Sequence, residues 1–281
     1  MKLKYSLPVA MLALVGYSYP SFAQTTDSLE ALRKAGHVKV AIASIPPYLT
    51  VSPSGEAAGP SIELQKLVLK GIGLPTLSPV LTGWDSMIPG LLAHQFDYLG
   101  AGWNITEEGC KVALFSTPYY ATRTALFVPL GNPKHLKSLA DVAQRADIKI
   151  AMLPGTDSYS KYTKSQGVKS EQITIIPDFQ AGAATVTGGR ADAFVVGQFS
   201  IPNPREKGLE VIPDEHSPVF GSGAVFRKED KAFRDAFNEQ LIGFIKDGTF
   251  TRLYGQYYNG DTMAKLLSRY AKASDLEPSC E

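Results

Sequence analysis

The sequence predicts an α/β protein made of two sets of strand-and-helix units. Three observations carry that expectation. Short β-rich runs alternate with amphipathic segments, no low-complexity linker separates the two sets, and the composition can fill large apolar cores. The chain has 281 residues, 44% hydrophobic, 20% charged and 10% aromatic. That is room for one large domain or two ordinary ones, and it is the opposite of a disordered composition.

Taken in order, residues 38–43 form the first β-rich run. Residues 61–72 then place Ile62, Leu64, Leu67, Val68 and Ile72 near helical spacing, and residues 85–93 repeat the pattern with Ile88, Leu91 and Leu92. Tyr98, Leu99 and Gly100 read as a strand. The second set starts after Pro133. Ser138 is placed to cap a helix over 139–145, followed by strands at 148–152, 173–176 and 193–196 and a helix at 181–187. Phe233, Phe237, Leu241, Phe244 and Ile245 share one stripe of a C-terminal helix, which Gly248 should stop. This rhythm predicts parallel sheets, and the missing linker predicts lobes joined by strand crossings.

Charge excludes some functions. With 28 basic and 27 acidic residues there is no cationic excess to track phosphates, so a nucleic-acid partner is not expected. No long uncharged apolar stretch lies in the body of the chain. The N-terminus reads as a cleaved signal peptide over residues 1–23: Lys2 and Lys4, an apolar run over 7–15, then Ser21-Phe22-Ala23. The mature protein is therefore expected outside the cytoplasm, in the periplasm, where Cys110 and Cys280 become candidates for one bridge. His37, His94, His135 and His216 lack metal-ligand spacing, and neither a metal nor a cofactor is expected.

Gly102-Trp103-Asn104-Ile105-Thr106-Glu107-Glu108, then Phe115-Ser116-Thr117-Pro118-Tyr119-Tyr120, resembles the central signature of family 3 extracytoplasmic solute-binding proteins, the polar-amino-acid receptors of ABC importers. Pro46-Pro47-Tyr48, Gly189-Arg190-Ala191-Asp192-Ala193 and Phe233-Arg234-Asp235-Ala236-Phe237 agree in the same order. The resemblance implies the type II two-lobe periplasmic-binding-protein fold, with a ligand cleft between the lobes. A discontinuous first lobe would cover 24–128 plus 219–281, the second 129–218, with hinge strands near 126–129 and 217–225. It also implies a monomer that meets a small-molecule ligand and a membrane permease.

Within that family, Gly83-Trp84-Asp85-Ser86-Met87-Ile88-Pro89-Gly90-Leu91 is similar to a segment of ectoine/hydroxyectoine-binding proteins, and both cysteines sit where theirs do, which implies the Cys110–Cys280 bridge. That subfamily surrounds a delocalised cation with three rings. Tyr48 and Trp84 match two; Asn104 takes the third position, with Trp103 beside it. The family arginine falls on Gly109, the subfamily glutamate on Ile45, and the aspartate that holds an α-ammonium falls on Gly197.

Losing those charged partners argues against an ordinary α-amino acid, because the ligand's charges would be buried unpaired. The expected ligand is a zwitterionic, cationic or hydroxyl-bearing derivative packed against Tyr48, Trp84 and Trp103 through ring–cation attraction. Arg123 is a candidate replacement cation; its other reading is a solvated surface arginine. Gly155, Thr156, Asp157 and Ser158 precede a helix expected over 159–165, where amides and hydroxyls suit a polar ligand end, though Asp157 favours a cationic or hydroxyl-rich one. The alternative function is an exported enzyme of cyclohexadienyl dehydratase type, but the carboxylate clamp is lost at Gly109 and no proton shuttle is evident. A binding protein, not an enzyme, is expected.

Overall fold

The structure is a computed structural model that describes residues 28–74, 76–153, 158–177, 179–255, 257 and 260–280. The expected signal peptide, and Gly155, Thr156 and Asp157, lie outside the described residues.

Two sheets carry the chain. The first has six strands: Leu77–Leu81, Val38–Ile42, Tyr98–Asn104, Phe220–Phe226 and Leu114–Phe115 in spatial order, with Tyr120–Thr122 also paired to Phe220–Phe226. The second has five, in the order Ile173–Ile175, Ile150–Met152, Ala193–Gly197, Thr124–Pro129, Leu209–Pro213. The sheets are mixed, not purely parallel. Val38–Ile42 is parallel to both its neighbours, as Ile150–Met152 is to its own. Thr124–Pro129 and Phe220–Phe226 run antiparallel to their partners. A parallel neighbour needs a crossover helix between strands, and these two strands arrive from the other sheet without one.

Both faces of each sheet are covered, and the period of two along the strands divides the core. Val38, Val40 and Ile42 enter one cluster with Ile62, Val68, Phe233 and Phe237, while Ala41 and Ala43 enter another with Met87, Leu91 and Phe115. Leu126 and Val128 likewise face away from Ala125 and Phe127. Strands buried on both sides read as nearly continuous apolar runs, which is why the sequence marks them clearly.

The helices begin where local chemistry starts them. Pro60–Gly71 opens with proline in its first turn. Leu139–Gln144 carries the full capping box, Ser138 accepting from the Asp141 amide and Asp141 accepting in return. Lys231–Lys246 ends as expected, with Gly248 in the left-handed region at φ 81°. The same helix buries Arg234, whose Nη1 donates to the Phe115 carbonyl at 3.3 Å.

The chain passes between the sheets at Arg123 and again over 214–219. Arg123 therefore precedes Thr124–Pro129, all of which pairs in the second sheet, so the switch expected between 128 and 129 falls inside a strand. The crossings are laced together. The Asp214 amide donates to the Thr124 carbonyl at 2.9 Å, the Thr124 amide to Ser217 Oγ at 3.0 Å, and Arg123 Nη1 to the carbonyls of Ser217 and Glu215. Cys110 and Cys280 are bridged, with Cα atoms 5.1 Å apart, which fastens the C-terminal tail to the helix Glu107–Val112.

Candidate functional site

Among the described residues expected to bind ligand, Trp84 and Trp103 meet, while Tyr48, Asn104, Ser158 and Arg123 each stand in settings of their own. Trp84 is the first residue of Trp84–Leu92, following the extended Gly83, and 45% of it is exposed. Its ring centroid lies 5.4 Å from that of Trp103, tilted by 51°. A half-exposed indole resting on a partly buried one leaves an aromatic face open to a ligand. Tyr48 is buried. Its loop lies against Gly59, whose φ of 110° and missing side chain are both required: an added Cβ would sit 2.5 Å from the Tyr48 carbonyl oxygen. The Tyr48 hydroxyl donates to the Phe199 carbonyl across the lobes at 2.7 Å.

Asn104 ends the strand Tyr98–Asn104 and its Oδ1 accepts from Ser222 Oγ at 2.8 Å. Ser158 opens the helix Ser158–Ser165 and is partly exposed. Arg123 stands at the crossing, with its guanidinium bonded to backbone carbonyls of the second crossing. Trp84 and Trp103 are thus brought together and Arg123 is fastened to the hinge.

The glycines that replace charged residues sit in crowded places. A Cβ at Gly109 would meet the Phe115 ring at 2.9 Å and Thr106 Oγ1 at 3.3 Å. The Gly109 amide is already held by the Thr106 side chain, the N-cap of its helix. A Cβ at Gly197 would lie 2.6 Å from the Tyr159 hydroxyl and 2.9 Å from Thr122 Oγ1. Two hydroxyls occupy the space a side chain would need.

Tyr120, Thr122, Tyr159, Ser200 and Ser222 were not anticipated at this site. Tyr120 and Thr122 flank Ala121 in a period-two pattern, so their strand was legible; Tyr159 and Ser200 carry no such signal. Burial pushes the Tyr120 hydroxyl up to about 12, against the pull of its contacts with the Thr122 and Ser200 side chains. At the mouth, Lys161 Nζ and Glu108 Oε1 are 3.3 Å apart, one on each lobe. The Glu108 carboxyl lies below the usual carboxylate range because its own backbone amide and then Lys161 stabilise the charge. Among the described residues no three histidine, cysteine or acidic side chains are grouped to hold a metal.

The model of the bacterial extracellular solute-binding proteins, family 3, matches residues 38–260. The chain belongs to this family. A relative from Sinorhizobium fredii, described as a probable amino-acid ABC transporter periplasmic-binding protein, is 31% identical over 257 residues, covering 87% of this chain and 85% of that one. The ABC transporter arginine-binding protein 1 of Escherichia coli is 26% identical, covering 77% and 88%. Among solved structures, EhuB in complex with hydroxyectoine superposes with a TM-score of 0.71 at 30% identity, covering 91% of this chain and 98% of that one. An ancestral cationic amino acid solute-binding protein gives a TM-score of 0.72 at 27% identity, covering 82% and 99%. The two sheets are therefore the two lobes of a type II family 3 solute-binding protein, and the space between them is its cleft.

Proposed function

We propose that this protein is the solute-binding component of an ABC importer. As a periplasmic monomer, released from a leader cut near Ala23, it captures a small polar solute and presents it to the membrane permease. The relatives described as ABC transporter periplasmic-binding proteins support the transport role. The solute class rests on one observation: the half-exposed Trp84 ring lies 5.4 Å from that of Trp103, while glycines stand at 109 and 197, the positions where the family resemblance puts charged side chains. A delocalised or alkylated cation is weakly hydrated and gains ~0.5–2 kcal/mol per good ring contact. The solute is accordingly a zwitterionic, cationic or hydroxylated amino-acid derivative of the compatible-solute kind.

Tyr48, Trp84, Trp103 and Asn104 line the first lobe in this reading, and Gly155, Thr156, Asp157 and Ser158 approach from the second. Arg123 acts at the hinge. A solute bridging both lobes raises the closed population by its differential affinity for that state. The test is a thermal-shift screen of compatible solutes, betaines and amino acids, followed by titration calorimetry. One-to-one binding of a betaine-like or ectoine-like solute is expected. Tight binding of several ordinary L-amino acids would overturn the solute class, and turnover of prephenate or arogenate in an NMR time course would overturn the non-catalytic role.

A further inference from the structure

One row of side chains runs from lobe to lobe. Ser222 pairs with Asn104 on one neighbouring strand and with Tyr120 on the other, so the three share a face of the first sheet. Tyr120 in turn contacts the hydroxyls of Thr122 and of Ser200, the latter from the second lobe. Thr122 Oγ1 and the Tyr159 hydroxyl then converge on the backbone of Gly197.

We propose that this row is a second recognition surface of the cleft, and that it reads an uncharged hydroxyl or amide on the solute while the indole pair takes the positive charge. The inference rests on the transport-binding reading above and narrows its solute class.

Every group in the row is neutral, and each hydroxyl rotates to donate or accept. A neutral hydroxyl or amide placed there keeps its hydrogen bonds. A carboxylate or ammonium set against the row would be desolvated with no charged partner among its members, and the adjacent Arg123 is turned to the carbonyls of Glu215 and Ser217. The row is also closely built. With 2.6 Å and 2.9 Å from a notional Gly197 Cβ to Tyr159 and Thr122, only glycine leaves both hydroxyls in place.

Two matched pairs of probes test this by calorimetry: choline against glycine betaine, which share a trimethylammonium head, and hydroxyectoine against ectoine, which differ by one hydroxyl. The hydroxyl-bearing member of each pair is expected to bind about tenfold tighter. Tyr159→Phe, which removes one hydroxyl, and Gly197→Ala, which displaces two, should each shrink that ratio to near one at unchanged cooperativity of unfolding. Equal affinities within both pairs, or a ratio that survives both variants, would overturn the inference. So would an ordinary L-amino acid that outcompetes both hydroxylated probes, an outcome that leaves the transport role standing. A wild-type protein that binds no solute at all would remove the transport role and this inference together.

Discussion

Tyr48 and Phe199 lie on different lobes, and a 2.7 Å hydrogen bond from the Tyr48 hydroxyl to the Phe199 carbonyl joins them. A hydrogen bond between lobes is lost when the lobes separate, so it favours the closed arrangement. Tyr48→Phe keeps the ring and removes the donor. A net hydrogen bond contributes about 1 kcal/mol, so the closed-to-open ratio should fall about fivefold. Small-angle scattering of the variant should show a larger radius of gyration than wild type.

Trp84→Ala should weaken solute binding by about 1–3 kcal/mol, the stacking area and the cation–ring attraction together. Half-exposed at a helix start, Trp84 contributes little to the core, so thermal unfolding should move far less than affinity. Calorimetry beside a melting curve separates the two, and an unchanged affinity would remove Trp84 from the site.

Gly109→Arg is expected to disturb the first lobe before it can clamp a carboxylate. The new Cβ would press on the buried Phe115 ring at 2.9 Å, and overpacking of this kind costs about 1–3 kcal/mol. A lowered melting temperature without tighter binding of carboxylate ligands is the expected pairing.

Glu108 and Lys161 give closure a dependence on acid and salt. The Glu108 carboxyl is depressed first by its own backbone amide, which is present in either state, and then by Lys161 on the other lobe, so only the Lys161 share ties the ionised form to closure. Its contribution is present above the ordinary carboxylate pKa and disappears as pH falls through the depressed value. Both side chains are exposed, so the effect should be under about fivefold and should fade with added salt. Titrations of wild type and Glu108→Gln at low and high salt should differ only at low salt and near-neutral pH.

The Cys110–Cys280 bridge closes a sequence separation of 170 residues. In the chain-entropy view a loop of that size is worth up to about 5 kcal/mol. Paired Cys110→Ser and Cys280→Ser substitutions should lower the denaturant midpoint markedly, and thiol titration of denatured, unreduced wild type should find no free cysteine.

Much of the fold was legible because its signals are local. Ser138 and Asp141 spell a capping box, Gly248 marks a stop, and runs such as Ala193 to Val196 are apolar on both faces. Strand direction was not, since Thr124–Pro129 enters the second sheet from the first lobe and its direction is set by pairing with Ala193–Gly197 and Leu209–Pro213, far along the chain. The site shows the same division. Tyr48, Trp84 and Trp103 stand out by residue type and motif. Tyr159 reaches Gly197 only where its helix packs on a strand far along the second lobe, and Ser200 reaches Tyr120 only through the meeting of two lobes, relations that no spacing within one segment encodes.

The place of Phe220–Phe226 in the first sheet governs the order in which the protein can be assembled. It lies between Tyr98–Asn104 and Leu114–Phe115, yet it is translated after every strand of the second sheet. The second lobe is contiguous in sequence and can condense as soon as its own residues are available, whereas the first must wait, with its inner strand edges unpaired, for the late strand. A chain emerging from its N-terminus therefore carries an incomplete first lobe through most of its synthesis.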